Sequence, residues 1–232
     1  MDKIHIIIVA AGSGSRFGGP LPKQFCLLAG RPVLMHTVDA LHGVPGAVLT
    51  LVLSRHDHSL WRDLCVRYDF KSPEVVYGGA SRFESVRNAL SRVADDTNII
   101  MVHDGARPFP SPEMISDLLA SFADRACMGA LPSLPITDSI RRIVGEKNEA
   151  VNRADYRTVQ TPQAFRASVL LDAYRNAPGD VAFTDDASVV EYNDNGSCRI
   201  DLVQGDARNI KITNPGDIRL AEFFLEKEQC SR

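Results

Sequence analysis

Apolar and polar positions follow one another along the chain in two rhythms. Residues 4–10, 47–53, 74–77, 99–103 and 129–131 are short and mostly continuous apolar runs, the pattern of strands buried on both faces of a parallel sheet. Between them, residues 32–42, 60–68, 81–93 and 112–126 place apolar side chains three and four positions apart, as helices with one buried stripe do. The third of these helices opens with Ser81 and Glu84 at the spacing of a capping box. Strand and helix in repeated succession predict right-handed crossovers and an α/β fold with a doubly wound, mostly parallel sheet.

The rhythm changes after Leu131. Within residues 132–161, two polar, strand-like runs at 139–144 and 150–153 flank a turn-like Gly145-Glu-Lys-Asn, with too little apolar content to form a core layer. This predicts a protruding β-hairpin arm, residues 133–160, which is either a surface loop or a segment held by another subunit. The compact pattern resumes at Ala164, with a helix at 167–176, a strand at 200–203 and a last helix at 215–228. Asn214 can cap that helix and Pro215 suits its first position. There is no internal repeat, and residues 1–232 read as a single domain carrying the arm.

Composition then narrows the function. A formal net charge of -3 and 44% hydrophobic residues give no electrostatic case for nucleic-acid or membrane binding, so function must come from a site. The opening MDKIHIIIVAAG is too short and too soon broken by glycine for a secretion signal, no run reaches membrane-spanning length, and the cytoplasm is the default expectation. Five cysteines, scattered singly, read as reduced thiols rather than as a disulfide framework or zinc site. His56 and His58, around Asp57, read as a solvated polar loop.

The first strand runs into AAGSGSRFGGPLPKQF, from Ala10 to Phe25, and ligands of open α/β sheets sit beyond the carboxyl ends of strands. The loop is not a dinucleotide fingerprint, because Phe17 stands where a small residue belongs. It is not a P-loop either, because Lys23 lies between Pro22 and Gln24. Backbone amides of the loop, with Arg16 and Lys23, instead suit a polyanion such as a nucleoside triphosphate, a merely flexible loop being the alternative. His103-Asp-Gly-Ala-Arg-Pro-Phe puts Asp104 and Arg107 at a second carboxyl edge. Asp104 can hold magnesium or a substrate hydroxyl, and Arg107 can grip phosphate or brace the loop, unless the two pair only with each other. Gly78-Gly79 makes a third turn where backbone can approach a base or ribose.

Six segments in this order, AAGSGSRFGGPLPKQF, YGGASRFESV, VHDGARPF, QTPQAF, FTDDASVVE and NIKITNPGD, resemble the signatures of the family of 2-C-methyl-D-erythritol 4-phosphate cytidylyltransferase and ribitol-5-phosphate cytidylyltransferase. The resemblance spans nearly the whole chain. It implies a Rossmann-like nucleotidyltransferase sheet, an enzyme that joins CTP to a polyol phosphate with Mg2+ and releases pyrophosphate, and a homodimer whose exchanged arms complete the sites. Carried over by position, Arg16, Lys23, Arg153 and Lys211 are catalytic, with Arg153 on the arm holding the acceptor's phosphate. Ala10, Ala11, Gly12, Gly79 and Ser85 meet the nucleotide, and Asp104, Arg107, Ser139, Thr161 and Thr184 line the rest, Asp104 being the metal ligand. Ser139 stands where many relatives have threonine, so a hydroxyl is kept. FTDDASVVE favours the methylerythritol branch over the ribitol branch. A sugar-1-phosphate nucleotidyltransferase is a rival that does not account for the arm arginine or the Thr184-Asp-Asp segment, and a non-catalytic nucleotide-binding regulator is one that does not require Arg16, Lys23, Arg153 and Lys211 together.

Overall fold

The computed structural model describes residues 2–12, 17 and 21–230, the last four as backbone only. The strands are β1 (Ile4–Val9), β2 (Leu27–Leu28), β3 (Arg31–Pro32), β4 (Ala47–Leu53), β5 (Glu74–Tyr77), β6 (Ile99–Asp104), β7 (Gly129–Pro135), β8 (Arg141–Val144), β9 (Lys147–Ala150), β10 (Arg157–Val159), β11 (Gln163–Arg166) and β12 (Ile200–Gln204). The helices are α1 (Val33–His42), α2 (His58–Arg67), α3 (Arg82–Leu90), α4 (Pro112–Ala120), α5 (Ala167–Asn176), α6 (Asp186–Asn193) and α7 (Pro215–Cys230).

The main sheet runs β5-β4-β1-β6-β11-β7, with β10 and β12 also on β7. Pairing is parallel between β1 and β4, β1 and β6, β4 and β5, and β7 and β12, while β10 and β11 run antiparallel to their neighbours. The doubly wound α/β expectation holds, because isoleucines alternate across β1. Ile6 and Ile8 pack with Leu34 of α1, Trp61 of α2 and Leu118 of α4, whereas Ile7 packs with Val86 of α3, Leu170 of α5 and Val190 of α6. Each such buried side chain contributes about 1.5–3 kcal/mol, and both faces of the strand must be covered for all of them to count. A third cluster, Leu28, Val33, Ile212 and Ala221, ties α7 and the strand-free segment before it to β2 and the start of α1.

Several local expectations are refined. The main helix of 112–126 stops at Ala120 and tightens into a 3-10 turn, Ser121–Ala123. The Arg166 guanidinium donates to the carbonyls of Phe122, Asp124 and Cys127, giving that chain end an alternative to helical bonds. In the arm, the turn is the two-residue Gly145-Glu146 and not four residues, and Gly145 has φ +60°, which a glycine-first hairpin turn requires. The base of the arm belongs to the main sheet, since Ser133 to Pro135 of β7 pair with β10, and the excursion proper is 136–156. Ser81 caps α3 through the Glu84 amide, but the Glu84 carboxylate bonds the Ala80 amide rather than that of Ser81. Asn214 accepts from Gly216 at the start of α7 as expected. Strand β11 and helix α6 carry no pattern that predicted them, β11 being four residues long and α6 almost evenly mixed. Among the described residues no helix is long and apolar enough to cross a membrane.

Candidate active site

The chain winds from β1 through β4 to β5 and then returns to the other side of β1 with β6, so the carboxyl ends of β1 and β6 flank a switch point. A cleft of about 520 Å³ opens there. Its walls come from the loop after β1, the turn before α3, the end of β6 and the segment before α7.

The first wall extends β1. Ala10 donates to the Val52 carbonyl at 2.9 Å, and the buried Gln24 amide donates to Ala10 O at 2.9 Å and Gly12 O at 3.3 Å. Gln24 thereby draws the returning chain against the strand end and sets Lys23, in the 3-10 turn Lys23–Phe25, at the cleft. Among the described residues, a Cβ on Gly12 would meet nothing within 4 Å, which leaves room beside it for a ligand. Arg16, expected beside these residues, lies outside the described residues.

The second wall is the Gly78-Gly79 turn. A Cβ on Gly79 would lie 2.3 Å from Glu84 Cβ, so no side chain fits where the backbone passes α3. The Gly79 amide donates to Ser85 Oγ at 3.1 Å, and that hydroxyl donates to Ser81 O at 2.8 Å. Ser85 thus shapes the turn it was expected to share with a nucleotide.

The third wall centres on Asp104. Its carboxylate faces Lys211 Nζ at 2.8 Å, Arg107 Nε at 3.5 Å and Arg82 Nε at 3.8 Å. Burial alone would push this carboxyl up, but Lys211, Arg82 and Arg107 outweigh it and hold it well below the usual carboxylate range. Asp104 and Arg107 therefore do not pair only with each other. Arg107 also donates to Asn209 O at 2.7 Å, and Ile212 donates to Ala106 O at 2.9 Å, which ties the Lys211 segment to the Asp104 turn.

Behind Asp104 lies a directional chain of bonds. Burial pushes His103 down to about 4, so the ring is neutral near pH 7. Arg107 O can only accept, so His103 Nε2 donates to it at 2.9 Å, leaving Nδ1 to accept from the Thr161 hydroxyl at 3.1 Å. Thr161 Oγ1 in turn accepts from the Asp104 amide at 3.0 Å. Thr161 is buried and meets the cleft through Asp104.

Ala10, Ala11, Gly12, Lys23, Gly79, Ser85, Asp104 and Lys211, all expected from sequence, line this one cleft. Arg107 lies under it as a brace. Ser139, Arg153 and Thr184 are exposed and stand outside its lining, Arg153 donating to Thr137 O across the arm. Sequence reasoning missed Gln24 and Arg82, although both stand inside quoted segments, next to Lys23 and Ser81. It also missed Asp186, whose buried carboxylate takes Arg82 in a two-pronged pair at 3.0 and 2.6 Å.

Among the described residues no group of three His, Cys, Asp or Glu could hold a metal ion. Asp104 is the one acidic residue in the described lining. One carboxylate fits Mg2+ that arrives with phosphates, since Mg2+ is usually held by one or two carboxylates plus substrate oxygens.

Comparison with known proteins adds to this geometry. The family model described as IspD, 2-C-methyl-D-erythritol 4-phosphate cytidylyltransferase, matches residues 4–227. A protein of that name from Porphyromonas gingivalis is 45% identical over 226 residues, 97% of this chain and 98% of its own length. One from Azobacteroides pseudotrichonymphae is 40% identical over 97% of this chain and 100% of its own length. The crystal structure of 4-diphosphocytidyl-2C-methyl-D-erythritol synthase from Anaerococcus prevotii superposes with a TM-score of 0.82 at 26% identity, covering 97% of this chain and 96% of that one.

Proposed function

The chain belongs to the 2-C-methyl-D-erythritol 4-phosphate cytidylyltransferase family, and from that premise we propose how its residues join CTP to 2-C-methyl-D-erythritol 4-phosphate, giving 4-diphosphocytidyl-2-C-methyl-D-erythritol and pyrophosphate. The observation that carries the reading is the convergence of Lys23, Lys211, Gly12, Gly79 and Ser85 on one cleft at the switch point of the sheet.

An acceptor phosphate oxygen attacks the α-phosphorus of CTP in line with the departing pyrophosphate. A phosphomonoester's second pKa is about 6, so the attacker is already ionised near pH 7 and no general base is required. The protein's task is to bring two anions together and to stabilise the charge that shifts onto the leaving group. Arg16 and Lys23 take the triphosphate, with amides of the loop after β1. Lys211 transfers from Asp104 to the reacting phosphates. Ala10, Ala11, Gly79 and Ser85 hold the cytidine, where backbone donors and acceptors can read a base edge. Asp104 is the carboxylate that would hold magnesium, which when bound would supply charge neutralisation at the triphosphate.

The acceptor end is assigned to a second copy of the chain. Arg153 and Ser139, on the arm of one subunit, would grip the acceptor phosphate in the cleft of its partner, with Thr184 beside it. Support comes from the arm's surface: β8 and β9 pair with each other as a separate two-stranded sheet, and Ile143 and Val144 are 72% and 54% exposed. Apolar side chains on a coreless hairpin suit a covered face. The cytoplasm suits the free thiols of Cys26, Cys65, Cys127 and Cys198.

The test is pyrophosphate release from CTP and Mg2+ with 2-C-methyl-D-erythritol 4-phosphate, against D-ribitol 5-phosphate at the same concentration. Turnover with the former is expected. Silence with it, from folded protein, overturns the acceptor assignment.

A further inference from the structure

Arg82 occupies the first position of α3, directly after the Ser81 cap. A cation there opposes the helix macrodipole, so local energetics do not account for it. Its environment does. Both terminal nitrogens bond the carboxylate of Asp186, which has no solvent exposure and stands at the first position of α6, where the macrodipole favours an anion. The Tyr174 hydroxyl donates to the same carboxylate at 2.6 Å, and its ring stacks on Phe83 with centroids 4.9 Å apart. Gln163 fixes the start of α6 as well, accepting from the amides of Asp186 and Ala187 and donating to Asp185.

All this machinery aims one group: Arg82 Nε, which faces Asp104 across the cleft wall at 3.8 Å. Of the three cations around Asp104, Arg82 is anchored by Asp186 and Arg107 by the Asn209 carbonyl. Lys211 is the closest, the most exposed, and reaches Asp104 on a flexible stem. Three cations against two carboxylates leave the cluster positive, as a polyanion site needs.

We infer that Arg82 is a positioning residue of the reaction, set by the buried Asp186, and that it holds the Asp104 carboxylate in place when Lys211 leaves it for the phosphates. This rests on the cytidylyltransferase reading. The pair serves a task that a bound Lys211 alone cannot, because the group that must move cannot also be the group that fixes Asp104. A lysine at position 82 would keep the charge but could not reach both carboxylates with one planar fork.

The experiment compares wild type, Arg82→Ala, Asp186→Asn, the double variant Arg82→Ala/Asp186→Asn, and Arg82→Lys, measuring thermal unfolding and pyrophosphate release on each. Arg82→Ala leaves the buried Asp186 carboxylate without its counter-charge and Asp186→Asn leaves Arg82 without its two-pronged partner, so each lowers stability, whereas the double variant removes both charges and regains it. The expected result is a double variant that regains stability yet stays about 30- to 100-fold below wild type in kcat/KM, and an Arg82→Lys enzyme that unfolds near the wild-type temperature with kcat down about tenfold. Recovery of activity together with stability in the double variant makes the pair structural and overturns the inference. So does wild-type kcat in Arg82→Lys, which decides the matter if the neutral variants do not fold. An inactive wild type would instead indict the proposed reaction, which keeps the two failures apart.

Discussion

Lysine 23 and lysine 211 carry the same charge and stand in different circumstances, and substitution should separate them. Lys23 lies in the cleft where Gln24 sets the backbone, while Lys211 is ion-paired with Asp104 at 2.8 Å. Lys23→Ala removes a preorganised cation and should lower kcat by about 10² to 10³. Lys211→Ala should cost a similar factor in rate. It also removes the nearest of the three cations that keep the Asp104 carboxyl low, so it should also reduce thermal stability. Steady-state pyrophosphate release and unfolding of the same preparations read both effects, and wild-type turnover from either variant would remove that lysine from the mechanism. At this scale the sequence was informative where a residue's type was unusual for its place, as with an ionised side chain at a strand end. It was silent where meaning depends on a distant partner. Arg82 looks like an ordinary solvated helix start, and its partner Asp186 is 104 positions away.

Helix α7 shows how an element far from the chemistry can govern it. One oxygen of Asp217 accepts from Thr213 N, Thr213 Oγ1 and Asn214 N at 2.7, 2.8 and 2.9 Å, while Asn214 Oδ1 accepts from Gly216 at 3.0 Å. These reciprocal caps fix the helix start three residues after Ile212, which follows Lys211 in the chain and is buried against Leu28 and Val33. Burial would raise the Asp217 carboxyl, but its hydrogen bonds with Thr213 and Asn214 prevail and lower it. A carboxyl lowered in the folded state adds stability above its ordinary value, near pH 4, and loses that contribution as pH falls through the lowered one. Asp217→Ala should therefore cost about 1 kcal/mol at pH 7 and flatten the acid side of the stability curve, read as urea midpoints between pH 7 and pH 3. An unchanged acid limb would mean the cap contributes nothing. The long strands and helices were legible because burial on both faces writes continuous apolar runs. Strand β9 was not: Lys147-Asn-Glu-Ala has no apolar alternation, and it is held by cross-strand pairs such as Arg142 with Glu149, so the pattern puts Lys147 and Asn148 in the turn, Ala150 in the following strand and Glu149 in neither.

Across the whole molecule, the winding order of the sheet could be foreseen only as a class. The repeated strand and helix units imply a doubly wound sheet, but the insertion of antiparallel β11 between β6 and β7 depends on a four-residue strand next to Thr161-Pro162 that no periodicity marks. The arm raises the corresponding question about assembly. Within one chain, the cleft holds Lys23, Asp104 and Lys211, while Arg153 stands exposed on the arm and outside the cleft's lining. If exchanged arms complete the sites, each active site draws Lys211 from one chain and Arg153 from the other. Arg153→Ala and Lys211→Ala should then each be nearly inactive as homodimers. When the two are mixed one to one and allowed to exchange subunits, half of the dimers are mixed, and each mixed dimer has one site carrying both changes and one carrying neither. Activity should return to about a quarter of the wild-type level at equal total protein, with no contact that either variant lacks being restored within a single chain. A mixture no more active than its parents, with subunit exchange verified by a mass-tagged partner, would place Arg153 in the same chain's site or outside the reaction altogether.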